Sequence, residues 1–368
     1  MRTLACLALV GCASNSTEVP GDSDAAANTA DPANTDDPAN TGDTDTDVDP
    51  TDQGVPMFIA QGHVGRTSIS CDDGNTWVAD QSNDDDLRCW SDNWEPDCDH
   101  SPDSARGIAY GDGVFMATFG WGYPGGLFRS VDGVRWDETY PGSSAAGMAY
   151  GNGVFIAGDW SPLRSVDAGL TWTRDDDFYV PYNVRRTSFV EAGGGRFLLL
   201  NDGPLLMSSD DGVSWYQPPA PAGCGTNVMF NGGAAYGNGA LVIVAGDGPT
   251  CVSTDDGATF TAGAPVDVYG WLTSRLLFNG TEFVVWGNGL MYTSPDGQSW
   301  SETAVSGVEL DAVAQSEDGT YVGVGGWYDG QNFYRSTDGV SWQAIGGYGG
   351  HPVFDLTFGI GQASPTCP

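Results

Sequence analysis

The fold is decided by the stretch Ser165-Val166-Asp167-Ala168-Gly169-Leu170-Thr171-Trp172, because copies of its pattern recur along most of the chain. A long form, Ser-x-Asp-x-Gly-x-Thr/Ser-Trp/Phe, occurs at 70–77, 165–172, 208–215 and 253–260. A form one residue shorter, Ser-x-Asp-Gly-x-x-Trp, occurs at 130–136, 294–300 and 336–342. Repeats about 40 to 50 residues apart are typical of β-propellers, in which each repeat forms one blade. We call each copy a Ser-Asp turn.

The residue types in this pattern suit a tight hairpin turn. An Asp carboxylate accepts backbone N–H bonds across such a turn, and Gly adopts a positive φ without steric cost. The aromatic residue at the end of the pattern anchors the next strand in the core. We therefore predict a structural role for the acidic residues Asp72, Asp132, Asp167, Asp210, Asp255, Asp296 and Asp338.

A second repeated unit precedes the Ser-Asp turns: an apolar strand, a tight turn with Gly or Asn, and another apolar strand. Clear copies lie at 108–115, 148–155 and 234–241, and weaker copies at 189–197, 276–283 and 312–321. The seventh copy, at 355–359, has no Ser-Asp turn after it, and the first Ser-Asp turn has no such unit before it. The sequence therefore predicts an all-β fold, a seven-bladed β-propeller of four-stranded antiparallel blades. The N- and C-terminal strands would share one blade and close the ring.

The Ser-Asp turn resembles the Asp-box, or BNR repeat, of the propellers found in sialidases, sortilin-type receptors, xyloglucanase-type glycosidases and photosystem II assembly factors. The resemblance covers residues 55–368 and implies the fold, and in that family the Asp box is structural. It implies less about function. The Arg-Ile-Pro motif and the three substrate-binding Arg of sialidases are not recognisable in this chain, and xyloglucanase-type enzymes use two propellers where this chain has one.

The net charge restricts the partners. It is -36, and the 13 basic residues are all Arg. Nucleic acid binding needs a basic surface, so nucleic acid is not an expected partner, and an anionic membrane surface would repel the chain. We expect a monomer that binds a glycan or protein, and the sequence gives no sign of a cofactor. The loop residues His63, His100 and His351 show no metal-ligand spacing, so scattered surface His is favoured over a metal site.

The N-terminal region predicts export and anchoring. Residues 1–12 end in Leu9-Val10-Gly11-Cys12, which resembles a bacterial lipobox with Cys12 as the lipidated residue. A plain secretory signal or a misplaced start codon are the alternatives. Residues 13–54 are Asp, Thr, Asn, Ala and Pro with few large apolar side chains, which predicts a solvated acidic tether before the propeller at 55–368. The expected location is the bacterial cell envelope, at the outer membrane or cell surface, or alternatively the medium as a secreted protein.

Six of the eight Cys lie beyond this N-terminal region, and an even number in an exported chain favours disulfides. Fifteen connectivities are open to six Cys. The preferred set is Cys89–Cys98, Cys224–Cys251 and Cys71–Cys367, the last of which would join the two ends of the ring. The CxxC spacing typical of zinc sites is missing, so metal is the weaker interpretation.

A binding site is expected on one face of the propeller. If the strands of each blade run A to D outward from the channel, the A–B turns and the Ser-Asp turns share one face, the turn face. The B–C and D–A loops form the other, the loop face, where variable segments carry function. Its aromatic residues suit stacking on sugars or anchoring of a peptide, although each could simply pack a loop. They are Trp90, Trp94, Trp121, Tyr123, Trp160, Tyr182, Trp271, Trp327 and Tyr328.

Polar candidates are fewer. Alignment of the inner strands suggests equivalent positions for Arg275, Asp311 and Asp355 at the channel mouth. Two carboxylates beside an Arg could act as general acid and base in glycoside cleavage. The favoured interpretation is that the three side chains form an ion-paired plug that fixes the blades.

Three functions remain open from the sequence. The first is a non-enzymatic binding or scaffold protein that engages a glycan or protein through the loop face. The second is a glycoside hydrolase of sialidase or xyloglucanase type. The third is an assembly factor for envelope complexes, which rests on analogy of fold alone.

Overall fold

The computed structural model describes residues 54–62, 67–80, 105–119, 125–143, 145–174, 178–179, 184–201, 206–217, 233–244, 247–268, 276–305, 307–308, 310–325, 331–348 and 353–368. Within these ranges the only helical element is a 3₁₀ turn, Ala192–Gly194. No helix in this part of the chain has the length and apolarity needed to cross a membrane.

The strands form seven antiparallel sheets, and each sheet is one blade whose strands follow one another from the channel outward. Blade 1 consists of β27 (Val353–Gly361), β1 (Val55–Gly62), β2 (Thr67–Ser70) and β3 (Val78–Asp80). Blade 2 consists of β4 (Ala105–Gly111), β5 (Val114–Phe119), β6 (Gly126–Ser130) and β7 (Asp137–Pro141). Blade 3 consists of β8 (Met148–Gly151), β9 (Val154–Ala157), β10 (Leu163–Ser165) and β11 (Thr173–Arg174).

Blade 4 consists of β12 (Val184–Val190), β13 (Arg196–Asn201) and β14 (Leu206–Ser209), with a single bridge from Ser208 to Tyr216 beside it. Blade 5 consists of β15 (Ala234–Gly237), β16 (Ala240–Ile243), β17 (Asp247–Ser253) and β18 (Thr261–Asp267). Blade 6 consists of β19 (Leu277–Phe278), β20 (Phe283–Gly287), β21 (Leu290–Ser294) and β22 (Ser301–Ala304). Blade 7 consists of β23 (Ala312–Gln315), β24 (Tyr321–Gly325), β25 (Gln331–Ser336) and β26 (Gln343–Tyr348).

Blade 1 is shared between the two ends of the chain, as the offset of the repeats predicts. Strand β27 pairs antiparallel with β1, from Val55 opposite Gly361 to Gly62 opposite Val353. Cys71 and Cys367 are joined by a disulfide, with Cα atoms 5.7 Å apart, so this predicted bridge is confirmed. In the chain-entropy model, a crosslink that closes a loop of this length contributes about 5 to 6 kcal/mol.

The core lies between adjacent blades, because both faces of each sheet are covered. Strand β5 is buried along its whole length. Its Met116 packs in one cluster with Met148 and Phe155 of blade 3, and at the junction of blades 7 and 1 Phe58 packs with Val322. This burial on both faces explains why the second strands are continuous apolar runs rather than alternating ones.

Three hydrogen bonds recur in every Ser-Asp turn: Ser hydroxyl to Asp, Gly N–H to Ser hydroxyl, and a backbone N–H to Asp, and some turns add a Trp indole bond. At 165–172, the Ser165 hydroxyl donates to Asp167 Oδ1 at 2.7 Å and accepts the Gly169 N–H at 2.9 Å. The Thr171 N–H donates to Asp167 Oδ1 at 2.9 Å, and its hydroxyl donates to Oδ2 at 2.6 Å. The Trp172 indole N–H donates to the Gly169 carbonyl at 3.2 Å. A single carboxylate therefore satisfies several turn donors, which is the geometry the sequence pattern predicts.

The long and short forms differ in backbone conformation. In the long form the residue before the Gly is left-handed, with φ of 57° at Asp73, 55° at Ala168 and 56° at Asp256. In the short form, among the residues of these turns, only the Gly has a positive φ, as at Gly133 with 73° and Gly339 with 72°. The extra residue of the long form is accommodated by this one left-handed step.

The blade 4 turn corrects the sequence alignment by one residue. The Ser209 hydroxyl donates to Asp211 Oδ1 at 3.0 Å, and the Val213 and Ser214 N–H groups donate to the same oxygen at 2.8 Å. The predicted role of Asp210 is therefore wrong, and this turn has the short form. Asp210 instead pairs with Arg196 at 3.2 Å and is 67% exposed. The run Ser208-Ser209-Asp210-Asp211 matches both forms, so the sequence alone did not distinguish them.

The A–B turns and the Ser-Asp turns share one face, as predicted. The Asn238 side-chain amide, in an A–B turn of blade 5, donates to Thr281 O at 2.9 Å and to Pro295 O at 3.0 Å in blade 6. Thr281 lies in an A–B turn and Pro295 in a Ser-Asp turn. At the junction of blades 7 and 1, the Thr320 hydroxyl donates to Asp73 at 2.6 Å.

The corrected blade 4 turn gives a prediction with a matched neighbour as control. Asp211→Ala leaves turn donors without their acceptor and should lower the free energy of unfolding by about 1 to 3 kcal/mol. Asp210→Ala removes only an exposed ion pair and should cost less than about 1 kcal/mol. Denaturant midpoints of the two variants test this, and a larger loss in Asp210→Ala would contradict the corrected alignment.

The turn carboxylates also predict a pH dependence. The hydroxyl and N–H of Thr171 lower the pKa of Asp167 to about 2, below the value of about 3.9 for an unfolded Asp. Its contribution to stability is therefore present above about pH 4 and is lost as the pH falls toward 2. The difference in free energy of unfolding between the wild type and Asp167→Asn should shrink between about pH 5 and pH 2.

The control for this pH series is Glu302→Gln, which removes one negative charge from an exposed position on β22. It corrects for the change in overall charge repulsion, because it lies outside the Ser-Asp turns. Denaturant unfolding of the three proteins at each pH gives the comparison. A constant difference between wild type and Asp167→Asn would show that the carboxylate does not stabilise the turn.

Candidate functional site

Most of the predicted loop-face residues lie outside the described ranges, and their roles stay predictions. They are Trp90, Trp94, Trp121, Tyr123, Tyr182, Trp271, Trp327, Tyr328, Arg275 and the three His. The predicted lipid site Cys12 and the predicted disulfide partners Cys89, Cys98 and Cys224 also lie outside the described ranges. Cys251, the predicted partner of Cys224, is buried in β17. Trp160, Asp311 and Asp355 are described, and they belong to two parts of the predicted site, its aromatic surface and its carboxylates.

Trp160 forms an exposed aromatic pair with Tyr179, and we call the two side chains the aromatic patch. Trp160 lies in the B–C loop of blade 3, and Tyr179 follows β11 in the D–A loop of the same blade. The ring centroids are 5.5 Å apart and the planes are inclined by 54°. The side chains are 49% and 55% exposed. Both rings therefore present a large apolar surface to solvent on the loop face, where the sequence predicts binding.

A buried carboxylate fixes the backbone beneath the patch. Asp159 is buried, and its Oδ1 accepts the Trp160 N–H at 2.7 Å. Its Oδ2 accepts from the Arg174 guanidinium at 2.9 Å and from the Ser143 hydroxyl at 3.4 Å. The Arg174 guanidinium also lies over the Tyr140 ring of blade 2, 5.8 Å from its centroid. Because Asp159 is adjacent to Trp160, these contacts hold the Trp160 loop against blades 2 and 3.

The other side of the patch is attached to blade 4. The Ser161 hydroxyl, next to Trp160, donates to the Phe178 carbonyl at 2.9 Å, and so connects the B–C loop to the D–A loop. The Phe178 ring stacks on Trp215 of blade 4 with planes inclined by 15°. Since Phe178 precedes Tyr179, both rings of the patch are anchored by their immediate neighbours. Such preorganised exposed aromatics lose little conformational entropy on binding a ligand.

The predicted equivalence of Asp311 and Asp355 is wrong by one residue. Asp355 pairs with Gln61, three residues after Phe58 on β1. In blade 7, Tyr321 occupies the position that Phe58 has in blade 1. The residue three positions after Tyr321 is Val324, and it pairs with Ala312 rather than with Asp311. A shift of one residue along a strand turns a side chain to the other face of the sheet. The two carboxylates are therefore not equivalent around the ring, which weakens their assignment as an acid–base pair.

Asp355 also has a structural role. Its side chain is 6% exposed, and its Oδ2 accepts the Ile108 N–H of blade 2 at 3.1 Å. Its Oδ1 accepts the Leu356 N–H at 3.0 Å. The carboxylate thus connects blade 1 to blade 2, as a residue that fixes the blades would. Its predicted neighbour Arg275 lies outside the described ranges.

The architecture defines the class of protein, a seven-bladed β-propeller. No protein-family model and no curated protein sequence matches the chain. Among solved structures, a Lactobacillus plantarum protein matches with a TM-score of 0.54 and 11% identity, over 82% of this chain and 99% of that protein. The computationally designed Ika8 protein matches with a TM-score of 0.51 and 12% identity, over 83% and 90% of the two chains.

A GH74 xyloglucanase from Xanthomonas campestris is also similar, with a TM-score of 0.46 and 18% identity, over 65% of this chain and 45% of that enzyme. At these identities the similarities to the Lactobacillus plantarum protein and to Ika8 establish the fold alone, because one propeller architecture supports many unrelated functions.

Proposed function

We propose that the protein is a non-enzymatic binding protein of the bacterial cell envelope that engages a glycan or protein through its loop face. The observation that supports this is the aromatic patch of Trp160 and Tyr179. The two side chains are about half exposed and anchored from beneath. Large exposed aromatic side chains on a fixed backbone are typical centres of recognition surfaces.

The shape and charge of the patch favour a neutral glycan. Two rings inclined by 54° form an open angle that can contact two faces of a pyranose ring or of neighbouring sugars. The charges next to the rings, Asp159 and Arg174, neutralise each other. The chain as a whole carries a net charge of -36, which repels acidic polysaccharides at long range. A neutral or basic protein surface is the alternative partner.

A non-enzymatic role also fits the carboxylates. Most glycoside hydrolases, sialidases excepted, use two carboxyl groups that flank the scissile bond and reach the substrate. Asp355 is buried and both of its oxygens accept backbone N–H groups, so its bonds to the protein would have to break before it could act on a substrate. We therefore propose binding rather than cleavage.

The Ser-Asp turns support a proposed membership in the Asp-box, or BNR, propellers. Their repeated carboxylate bonds to the turn match the structural role that the resemblance implies. The proposal also includes a lipid on Cys12 and the acidic segment 13–54 as the tether between membrane and propeller, both of which rest on the sequence.

The binding proposal is tested with a glycan array, followed by calorimetry on the glycans that bind. Trp160→Ala and Tyr179→Ala should each weaken binding by about tenfold or more, because each removes a central aromatic contact. Leu170→Ala is the matched control, since Leu170 is 58% exposed on the turn face of the same blade and should leave affinity unchanged. Wild-type affinity in Trp160→Ala would contradict the proposal, and release of reducing sugar would replace it with hydrolysis.

The anchor is tested separately. Expression with labelled palmitate in a bacterial host should label the wild-type chain, and Cys12→Ser should abolish the label and move the protein to the soluble fraction. Cys6→Ser is the control, because Cys6 lies before the lipobox cleavage position and should not affect labelling. Equal labelling of Cys12→Ser would show that Cys12 is not the lipidated residue.

A further inference from the structure

Arg174 lies at the edge of the aromatic patch. It is the last residue of β11 and pairs with Leu163, at the start of the strand that follows the Trp160 loop. Its Nη2 donates to Asp159 Oδ2 at 2.9 Å, and Oδ1 of the same carboxylate accepts the Trp160 N–H at 2.7 Å. One carboxylate therefore joins the guanidinium to the backbone that carries the Trp160 ring.

The orientation of this guanidinium is fixed on two sides. The ion pair with Asp159 holds one edge, and the guanidinium lies over the Tyr140 ring of blade 2, with its Cζ atom 5.8 Å from the ring centroid. Asp159 is held in turn by the buried Ser143, whose hydroxyl donates to Oδ2 at 3.4 Å. A guanidinium that is already held in place loses little conformational entropy when it binds a ligand.

Several donors of Arg174 are unused among the described residues. A guanidinium has five N–H donors and no acceptor. Within this part of the chain, the hydrogen bond of Arg174 is the one from Nη2 to Asp159, and Nε and Nη1 make none. The Arg174 side chain is 32% exposed and that of Asp159 only 6%. The ion pair therefore presents its cationic member, rather than its acidic one, to a ligand.

The ion pair with Asp159 does not by itself require an arginine. A lysine ammonium also supplies a donor and a positive charge to a carboxylate. An arginine adds a planar fork of donors, which binds two acceptor oxygens at once. Binding sites typically combine an apolar surface with a few placed polar groups that fix the orientation of the ligand. Arg174 beside the exposed rings of Trp160 and Tyr179 has this arrangement.

The charge at this position favours an uncharged acceptor. The Asp159 carboxylate balances the charge of Arg174 at 2.9 Å, so the pair as a whole is neutral. The net charge of -36 repels anionic ligands from the chain as a whole. Hydroxyl oxygens are uncharged acceptors, and a sugar whose face stacks on an aromatic ring presents them around its edge. The spare donors therefore suit the hydroxyls of a stacked sugar.

We propose that Arg174 determines which glycan the aromatic patch binds, by donating from Nε and Nη1 to two adjacent hydroxyl oxygens of the sugar that stacks on Trp160 and Tyr179. This inference rests on the proposed function. The ligand class is a neutral glycan whose stacked unit has two free hydroxyls on neighbouring ring carbons. Two such oxygens accept from the two prongs of one guanidinium, as the two oxygens of a carboxylate do. A unit that lacks one of these hydroxyls keeps the stacking and loses the bond to the fork.

The test uses the methyl glycosides of glucose, mannose and galactose, each with its 3-deoxy and 6-deoxy analogue, in NMR titrations of the wild type. The oxygen on the third carbon belongs to both pairs of adjacent free ring hydroxyls, so the 3-deoxy analogues have no such pair. The 6-deoxy analogues keep both pairs and are the matched control. We expect at least one parent sugar to bind and its 3-deoxy analogue to bind at least about tenfold more weakly, as expected for a lost hydrogen bond to a charged group. Its 6-deoxy analogue should bind like the parent.

Arg174→Lys keeps a positive charge opposite Asp159 and removes the fork. It should bind the parent sugar about tenfold more weakly than the wild type does, and it should bind the parent and the 3-deoxy analogue alike. A residue that only supports the Trp160 loop would, when replaced, weaken both sugars equally and leave the ratio of their affinities unchanged. The ratio therefore separates recognition of the sugar from support of the loop.

Ser143→Ala is the matched control for Arg174→Lys. It removes another bond to Asp159 Oδ2, and the buried Ser143 offers no donor to a ligand. It should therefore keep the wild-type ratio of the affinities for the parent and 3-deoxy sugars, whatever its effect on the affinities themselves. Thermal melts show that each variant is folded, and the comparison of sugars on the wild type does not depend on any variant.

Trp160→Ala separates this inference from the proposed function. If it weakens binding of the parent sugar, but the wild type binds the parent and the 3-deoxy analogue equally, the role of Arg174 is overturned and the aromatic patch remains the binding site. A preference for the parent that persists in Arg174→Lys overturns the same role. Binding that Trp160→Ala leaves unchanged, or no binding by any of the three parent sugars, overturns both this inference and the proposed glycan site.

Discussion

The fold depends on hydrogen bonds by which one blade reaches the Ser-Asp turn of the next blade, and blades 2, 3, 6 and 7 form them. The Arg129 Nε–H donates to Ala168 O at 2.8 Å, Arg164 to Asp211 O at 2.9 Å, and Arg335 to Asp73 O at 2.8 Å. In blade 6 the Trp286 indole donates to Gly339 O at 2.8 Å instead. The turn carboxylate satisfies donors inside the hairpin, and the neighbouring blade satisfies an outward carbonyl, so little backbone polarity is left unpaired. One short motif therefore closes a hairpin and also fixes the angle between two sheets.

A ring imposes a further constraint, because its last interface must form between segments far apart in the chain. Three interactions concentrate there. Strand β27 completes blade 1, the Cys71–Cys367 disulfide fixes the C-terminal segment to it, and Arg335 of blade 7 pairs with Asp73 of blade 1 at 2.6 Å. Closure of non-local contacts has a large entropic cost, so the strongest links lie where the sequence separation is greatest. The other interfaces are held by packing and by hydrogen bonds, such as those of Asn238 between blades 5 and 6.

The features of the fold that depend on the repeats are predictable from the sequence. Features that depend on a shift of one residue in the alignment are not. Seven blades and a shared first blade follow from counting two patterns with an offset. The role of Asp210 is not predictable because two adjacent Ser and two adjacent Asp fit either form of the turn, and the hydrogen bonds to Asp211 separate the two forms. Asp311 lies one residue from the position of Asp355 because inner strands of different length begin at different points relative to their pairing with the second strand. Trp160 was predicted, but Tyr179 was missed beside the predicted Tyr182.

The turn carboxylates also bear on which face can meet a partner. Hydrogen bonds from Thr171 and Thr259 lower the pKa values of Asp167 and Asp255 to about 2, so these groups stay charged in any ordinary medium. Their charges cannot be neutralised by protonation when an acidic surface approaches, and the turn face therefore repels anionic membranes and acidic polymers. The turn carboxylates Asp167 and Asp255 are already bonded to donors within their own turns. On the loop face the described residues expose Trp160 and Tyr179 over an ion pair that is internally neutral. The same bonds that build the propeller thus leave the opposite face as the surface for the proposed binding.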